Sequence, residues 1–300
     1  MRMIICNLLT LAIVLPFVTN MKAPNIHHEH KRIGKYLQSS RQFFLMYSPD
    51  GILATRGEFP FTAILGWPIL YGATGDVFTY RSFCGGSIIT KFHILTSAQC
   101  FSFYHKKGYK ENTMVAVLGA FDRRYRMPEE LRIPVLRIDP HPFYMGHPDF
   151  LNDIALVTLS TGIRYGDGVK PICLPHPTSI AANKTVTQIG YQNPEIAANA
   201  FLPRKLVTLA LSVPSCQQYW RVTTGQLCTY SQTAAFCREE SGGPVVAIKD
   251  GFFVLVGVQS VISCDKNKPI VNTAVPGYIK WISKVINATK PEALSDLCIK

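Results

Sequence analysis

The sequence predicts an all-β fold of barrels or sandwiches, closed by one C-terminal helix. Three observations predict it. From residue 52 onward, apolar runs of five to nine residues recur, many alternating or rich in β-branched side chains. Glycine and proline, 21 and 20 residues of 300, interrupt those runs as turns between short strands require. Helical periodicity is convincing only in "PGYIKWISKVINATK", where Ile279, Ile282 and Ile286 fall on one face.

In chain order the expected strands are "FPFTAILGW", "GGSIITKFHILTS", "MVAVLGAF", "IPVLRID", "DIALVTLS", "KLVTLALSV", "GPVVAI" and "FFVLVGVQS". The last two form a hairpin, with Asp250-Gly251 as its turn. The proline-bearing "YGDGVKPICLPHP" reads as a connection between two strand-rich halves, and no internal repeat is evident. So many short strands with frequent turns argue for sandwiches or barrels.

With 47% apolar and 17% charged residues the chain can bury a substantial core. Residues 1–20 read as a signal peptide: Arg2, an apolar run, then polar residues, with cleavage near 19–23. No later stretch resembles a membrane span. Residues 21–51 read as a basic N-terminal arm or pro-segment, in which cleavage at Lys31-Arg32 is an open alternative. Of nine cysteines the leader removes Cys6, and the even remainder suits disulfides in a secreted chain. Metal-ligand spacings are lacking, and no metal or cofactor is expected. Asn183-Lys-Thr185 and Asn287-Ala-Thr289 are sequons for N-glycosylation. The formal charge of +12 includes clusters in "HHEHKRIGK", "YHKKGYK" and "FDRRYR". It favours acidic partners, such as sulfated glycans, anionic microbial surfaces or acidic proteins, unless it is only a solubilising surface. A nucleic-acid partner is not expected.

Six motifs then occur in one order: "GEFPFTAIL" (57–65), "FCGGSIITKFHILTSAQCF" (83–101), "NDIALV" (152–157), "KPICLP" (170–175), "CREESGGPVV" (237–246) and "PGYIKWI" (276–282). In content and spacing they resemble the trypsin-like serine proteases over residues 52–285, leaving 286–300 as a tail that carries Cys298. The resemblance implies two packed six-stranded antiparallel β-barrels with a cleft between them. It also implies disulfides Cys84–Cys100, Cys216–Cys228 and Cys237–Cys264, and it ties Cys173 to a segment outside the domain; Cys298 is the cysteine left for it, so Cys173–Cys298 is expected.

The same resemblance assigns the catalytic aspartate to Asp153 and the nucleophile to Ser241, and there the chain departs from the pattern. The histidine that should take the serine's proton is Gln99, and an amide has no proton equilibrium near neutrality. The glycine whose N–H helps bind the oxyanion is Glu239. The aspartate that pairs with a newly cut amino terminus is Glu240, and Tyr47 rather than a basic residue precedes the corresponding "SPDG". The floor of the specificity pocket reads Ala235-Phe236, and its wall reads Ser260-Val261-Ile262, with no charge to recruit Arg or Lys.

The expectation is therefore a secreted, inactive serine protease homologue of arthropod type. It would act by binding active proteases, zymogens or inhibitors, as cofactor, decoy or regulator in a proteolytic or immune cascade. Two alternatives remain: a residual endopeptidase using Ser241, and a protein that binds heparin-like glycans or microbial surfaces.

Overall fold

The computed structural model describes residues 51–71, 77–106, 113–179, 181–191, 201–231, 241–261 and 267–300. The expected leader, residues 21–50 of the arm, and Ala235, Phe236, Cys237, Glu239, Glu240, Ile262 and Cys264 lie outside the described residues. All that is described belongs to one compact unit, Tyr47–Lys300.

Strands β2 (Thr62–Tyr71), β3 (Val77–Thr90), β4 (His93–Thr96), β5 (Val115–Leu118), β6 (Leu131–Pro140) and β7 (Ala155–Leu159) close into one antiparallel barrel, in the order β2-β3-β4-β7-β6-β5. Strands β8 (Thr185–Gly190), β9 (Arg204–Leu211), β10 (Gln226–Tyr230), β11 (Pro244–Lys249), β12 (Phe252–Val261) and β13 (Ile270–Ala274) form the second, closed by the β8–β9 ladder. The two-residue β1 (Ile52–Leu53) adds to the outside of β9. Two six-stranded barrels and a short C-terminal helix are thus the architecture.

Several strands are apolar on both faces, and packing explains why. In β7, Ala155, Val157 and Leu159 enter the core of the first barrel. Leu156 points the other way, into a seam shared with Leu255 and Val258 of β12. In β4, Ile94 and Leu95 divide in the same manner. Alternation along a strand places neighbours on opposite faces, and here both faces are dry. The Asp250-Gly251 turn between β11 and β12 has φ of 50° and 81°, the left-handed values that a two-residue hairpin turn needs.

Helix α1 (Gln99–Lys106) follows β4, and the single turn α2 (Val213–Cys216) precedes β10. Helix α3 (Ile279–Thr289) buries Ile279, Ile282 and Ile286 in the seam, as its periodicity predicts. It runs past residue 285, so no structural break marks the expected start of the tail. The tail instead packs back: Cys298 is bonded to Cys173, and Leu174 N–H donates to Cys298 O at 2.8 Å. Cys84–Cys100 and Cys216–Cys228 are the other disulfides among the described residues. No described helix is long and apolar enough to cross a membrane.

His93 on β4 ties the first barrel to α3. Its Nε2 lies 2.9 Å from Thr289 Oγ1, and that hydroxyl already donates to Val285 O at 2.8 Å. The imidazole therefore donates from Nε2 and accepts at Nδ1 from Thr90 Oγ1, at 2.8 Å. It is fully buried, and burial holds its pKa down at about 4. Because the folded pKa lies below the ordinary 6.5, the unfolded chain binds the proton first as pH falls. The stability that a neutral His93 provides is complete above pH 6.5 and lost as pH falls towards 4, a change of about 3 kcal/mol. Urea midpoints from pH 7 to 4 should fall more steeply for the wild type than for His93→Gln; parallel curves would refute the assignment. His141, also depressed by burial, and Asp153, raised by burial, contribute equally to both proteins and cancel in the comparison.

Candidate active site

The site assembles where the two barrels meet. Asp153 lies two residues before β7, held by Thr273 Oγ1, which donates to its carbonyl at 2.7 Å. Just before it, Asn152 takes φ of 54° and accepts from Tyr278 Oη at 3.0 Å. Gln99 opens α1 at the end of β4. Ser241 precedes β11, and its carbonyl accepts from Gly85 N–H at 2.9 Å, so the Ser241 segment and the first barrel are joined backbone to backbone.

The structure brings the three sequence-assigned positions together around one carboxylate and one carbonyl. The Asp153 side chain is buried and receives four hydrogen bonds: Ser97 Oγ at 2.7 Å, Gln99 N at 2.7 Å, Gln99 Nε2 at 2.9 Å and Ser260 Oγ at 2.5 Å. Burial pushes its pKa up, against the pull of those donors, which favour the ionised form. The bond from Gln99 N also satisfies a free N–H at the start of α1. Gln99 Nε2 further donates to Ser260 O at 2.8 Å, and Ser241 Oγ approaches the same carbonyl at 3.4 Å. Both amide hydrogens of Gln99 are therefore engaged, one on Asp153 and one on Ser260.

No histidine shares a hydrogen bond with Ser241 among the described residues. His93 is engaged between Thr90 and Thr289, and His141 packs its ring on Tyr278 and Trp281 at 5.4 and 5.1 Å. His147 packs on Phe150. Of the pocket positions, Ser260 and Val261 end β12, and the Ser260 hydroxyl turns inward to Asp153 rather than lining a wall.

Two contributions escaped the sequence: the hydroxyls of Ser97 and Ser260 on Asp153. Ser97 lies inside "LTSAQC", two residues before Gln99, but its partner is 56 residues away and no local pattern marks it. Both sequon asparagines are exposed, Asn183 at the entry to β8 with φ of 61° and Asn287 on α3.

A venom serine protease of Polistes dominula is 28% identical to this chain over 246 residues, which cover 78% of this chain and 83% of that protein. The family model described as Trypsin matches residues 53–282, a span that contains both barrels, most of the seam and every described position of the site. By that match and by its fold, this chain belongs to the trypsin family.

Proposed function

We propose that this protein is a secreted, non-catalytic member of the trypsin family. It acts by binding, as cofactor, decoy or regulator of active proteases, zymogens or inhibitors in an extracellular proteolytic or immune cascade. The observation that carries the reading is the side chain of Gln99. It occupies the place between aspartate and serine where a proton acceptor is needed, and its Nε2 is committed to Asp153 and Ser260. An amide there neither takes the Ser241 proton nor returns it to a leaving amine. In a comparable triad, loss of the histidine lowers turnover by about 10⁶-fold. Asp153 then serves the fold, since its four hydrogen bonds tie the segment before β7 to Ser97 after β4, to Gln99 at the start of α1 and to Ser260 in β12. Secretion is supported by the disulfides and by the venom relative.

Active-site labelling tests it. A fluorophosphonate probe should label the purified protein no more than its Ser241→Ala variant. Labelling that depends on Ser241 would mean the hydroxyl is still activated, and the residual-endopeptidase reading would replace this one.

A further inference from the structure

The loop that leads into the site, residues 140–150, carries the most exposed aromatic side chain of the described residues. Phe143 is 72% exposed and Met145 58% exposed, with Pro142 and Pro148 also at the surface. Large apolar side chains grouped at a tip have a reason to be there, whereas scattered ones need none.

This tip is built to stay out. Asn152 Nδ2 donates to Phe143 O at 2.8 Å, Met145 N–H to Leu151 O at 2.9 Å, and Phe150 N–H to Gly146 O at 3.1 Å. From the second barrel, Gln226 Nε2 donates to Asp149 O at 3.0 Å. The backbone is thus fixed from both sides, and the apolar side chains do not fold back onto the core.

An independent feature lies beside it. The His141 ring, at the base of the loop, contacts Phe143, Tyr278 and Trp281 with centroids 6.0, 5.4 and 5.1 Å apart. Trp281 is on α3, whose outer face presents Lys280 and Lys284, both exposed and one turn apart. α3 contains no aspartate or glutamate, and the loop contains one carboxylate, Asp149. A rigid tip of Phe and Met beside a half-buried Trp and two lysines is the arrangement of a surface that dips apolar groups below charged headgroups and keeps its cations among them. A chain of formal charge +12 adds long-range attraction to a negative bilayer.

We propose that this face, Phe143 and Met145 with Lys280 and Lys284, docks the protein on anionic phospholipid bilayers. The proposal extends the binding reading to a surface partner and does not depend on whether Ser241 turns over. Glycosylation at Asn287 would crowd the lysine face, so material with and without N-glycans is compared.

Sedimentation with vesicles of phosphatidylglycerol and phosphatidylcholine (1:1), beside pure phosphatidylcholine, tests it. Binding is expected on the anionic vesicles only. It should weaken about tenfold or more in Phe143→Ser/Met145→Ser, and by a similar factor in Lys280→Glu/Lys284→Glu. A control reversal on the second barrel, Lys249→Glu at the exposed end of β11, should change it less than about twofold. All four loop and helix positions are exposed or on a solvent face, and unchanged urea midpoints would verify intact folds. Absence of wild-type binding would overturn the proposal. So would equal loss in the Lys249 control, which would reduce the effect to net charge. Retention on heparin that the lysine variant abolishes and the Phe143/Met145 variant leaves intact, without vesicle binding, would assign the face to a sulfated glycan instead.

Discussion

Gln99→His alone should leave peptide hydrolysis within about tenfold of the Ser241→Ala background, whereas Gln99→His with Glu239→Gly should raise it at least about a hundredfold over either single variant. The site already supplies what an imidazole at 99 needs for orientation: Asp153 Oδ2, 2.9 Å from the present Nε2, is the acceptor for a ring N–H. Replacing the amide also releases Ser260 O from Gln99 Nε2, leaving that carbonyl to Ser241 alone. Yet a base is only one part of the machinery. The tetrahedral intermediate needs N–H donors for its oxygen, and by sequence Glu239 stands where glycine supplies the backbone freedom for one of them. Parts of such a site act as a unit, so restoring one while another is missing returns little. Fluorogenic peptides without a basic residue at the scissile position are the right substrates, given Ala235-Phe236 on the expected pocket floor. A double variant no faster than Gln99→His would sink the assignment of Glu239 as the second defect. Full recovery in the single variant would show that position 239 tolerates a carboxylate.

The strands that sequence reading found and missed differ in what they bury. β4, β7, β11 and β12 are legible because both of their faces are apolar, one in a barrel and one in the seam. β8, β10 and β13 went unmarked because their buried positions include Gln188, Thr229 and Asn272. These satisfy one another: Thr229 Oγ1 donates to Gln188 Oε1, Gln188 Nε2 to Asn272 Oδ1, and Asn272 Nδ2 to Thr229 Oγ1. Polar residues paired across strands bury as readily as apolar ones but carry no period-two hydrophobic signal. Helix α1 was missed for a related reason: it is eight residues long and the carboxylate at its start, Asp153, comes from a distant segment, just before β7. At the site, the identities of Gln99, Asp153 and Ser241 were readable from motif order. Their mutual geometry was not, since Ser260 joins them through its carbonyl and hydroxyl from 161 residues beyond Gln99.

Gly242→Ala is expected to destabilise the fold by roughly 2–5 kcal/mol, well beyond the roughly 1–2 kcal/mol expected for Gly251→Ala. Both glycines have φ in the left-handed region, 85° and 81°, so an alanine pays the same conformational penalty at either. They differ in what a Cβ meets. At Gly251 nothing lies within 4 Å, while at Gly242 the Cβ runs into Thr96 Oγ1 and comes within 2.5 Å of Gly85 O. Neither neighbour is free to yield: Thr96 Oγ1 donates to Gly85 O at 2.7 Å, and Gly85 N–H donates to Ser241 O at 2.9 Å. Gly85 is itself pressed so close to Gly243 that its own Cβ would lie 2.9 Å from Gly243 Cα. The glycines of "CGGS" and "SGGP" thus let two backbones touch across the seam, which fixes where Ser241 stands relative to Gln99 and Asp153. Urea denaturation of the two alanine variants separates the terms, and equal losses would mean the close approach adds nothing beyond φ. The pattern also explains how "SGGP" persists beside an amide in the histidine position. Those glycines hold the barrels together whether or not the serine before them reacts.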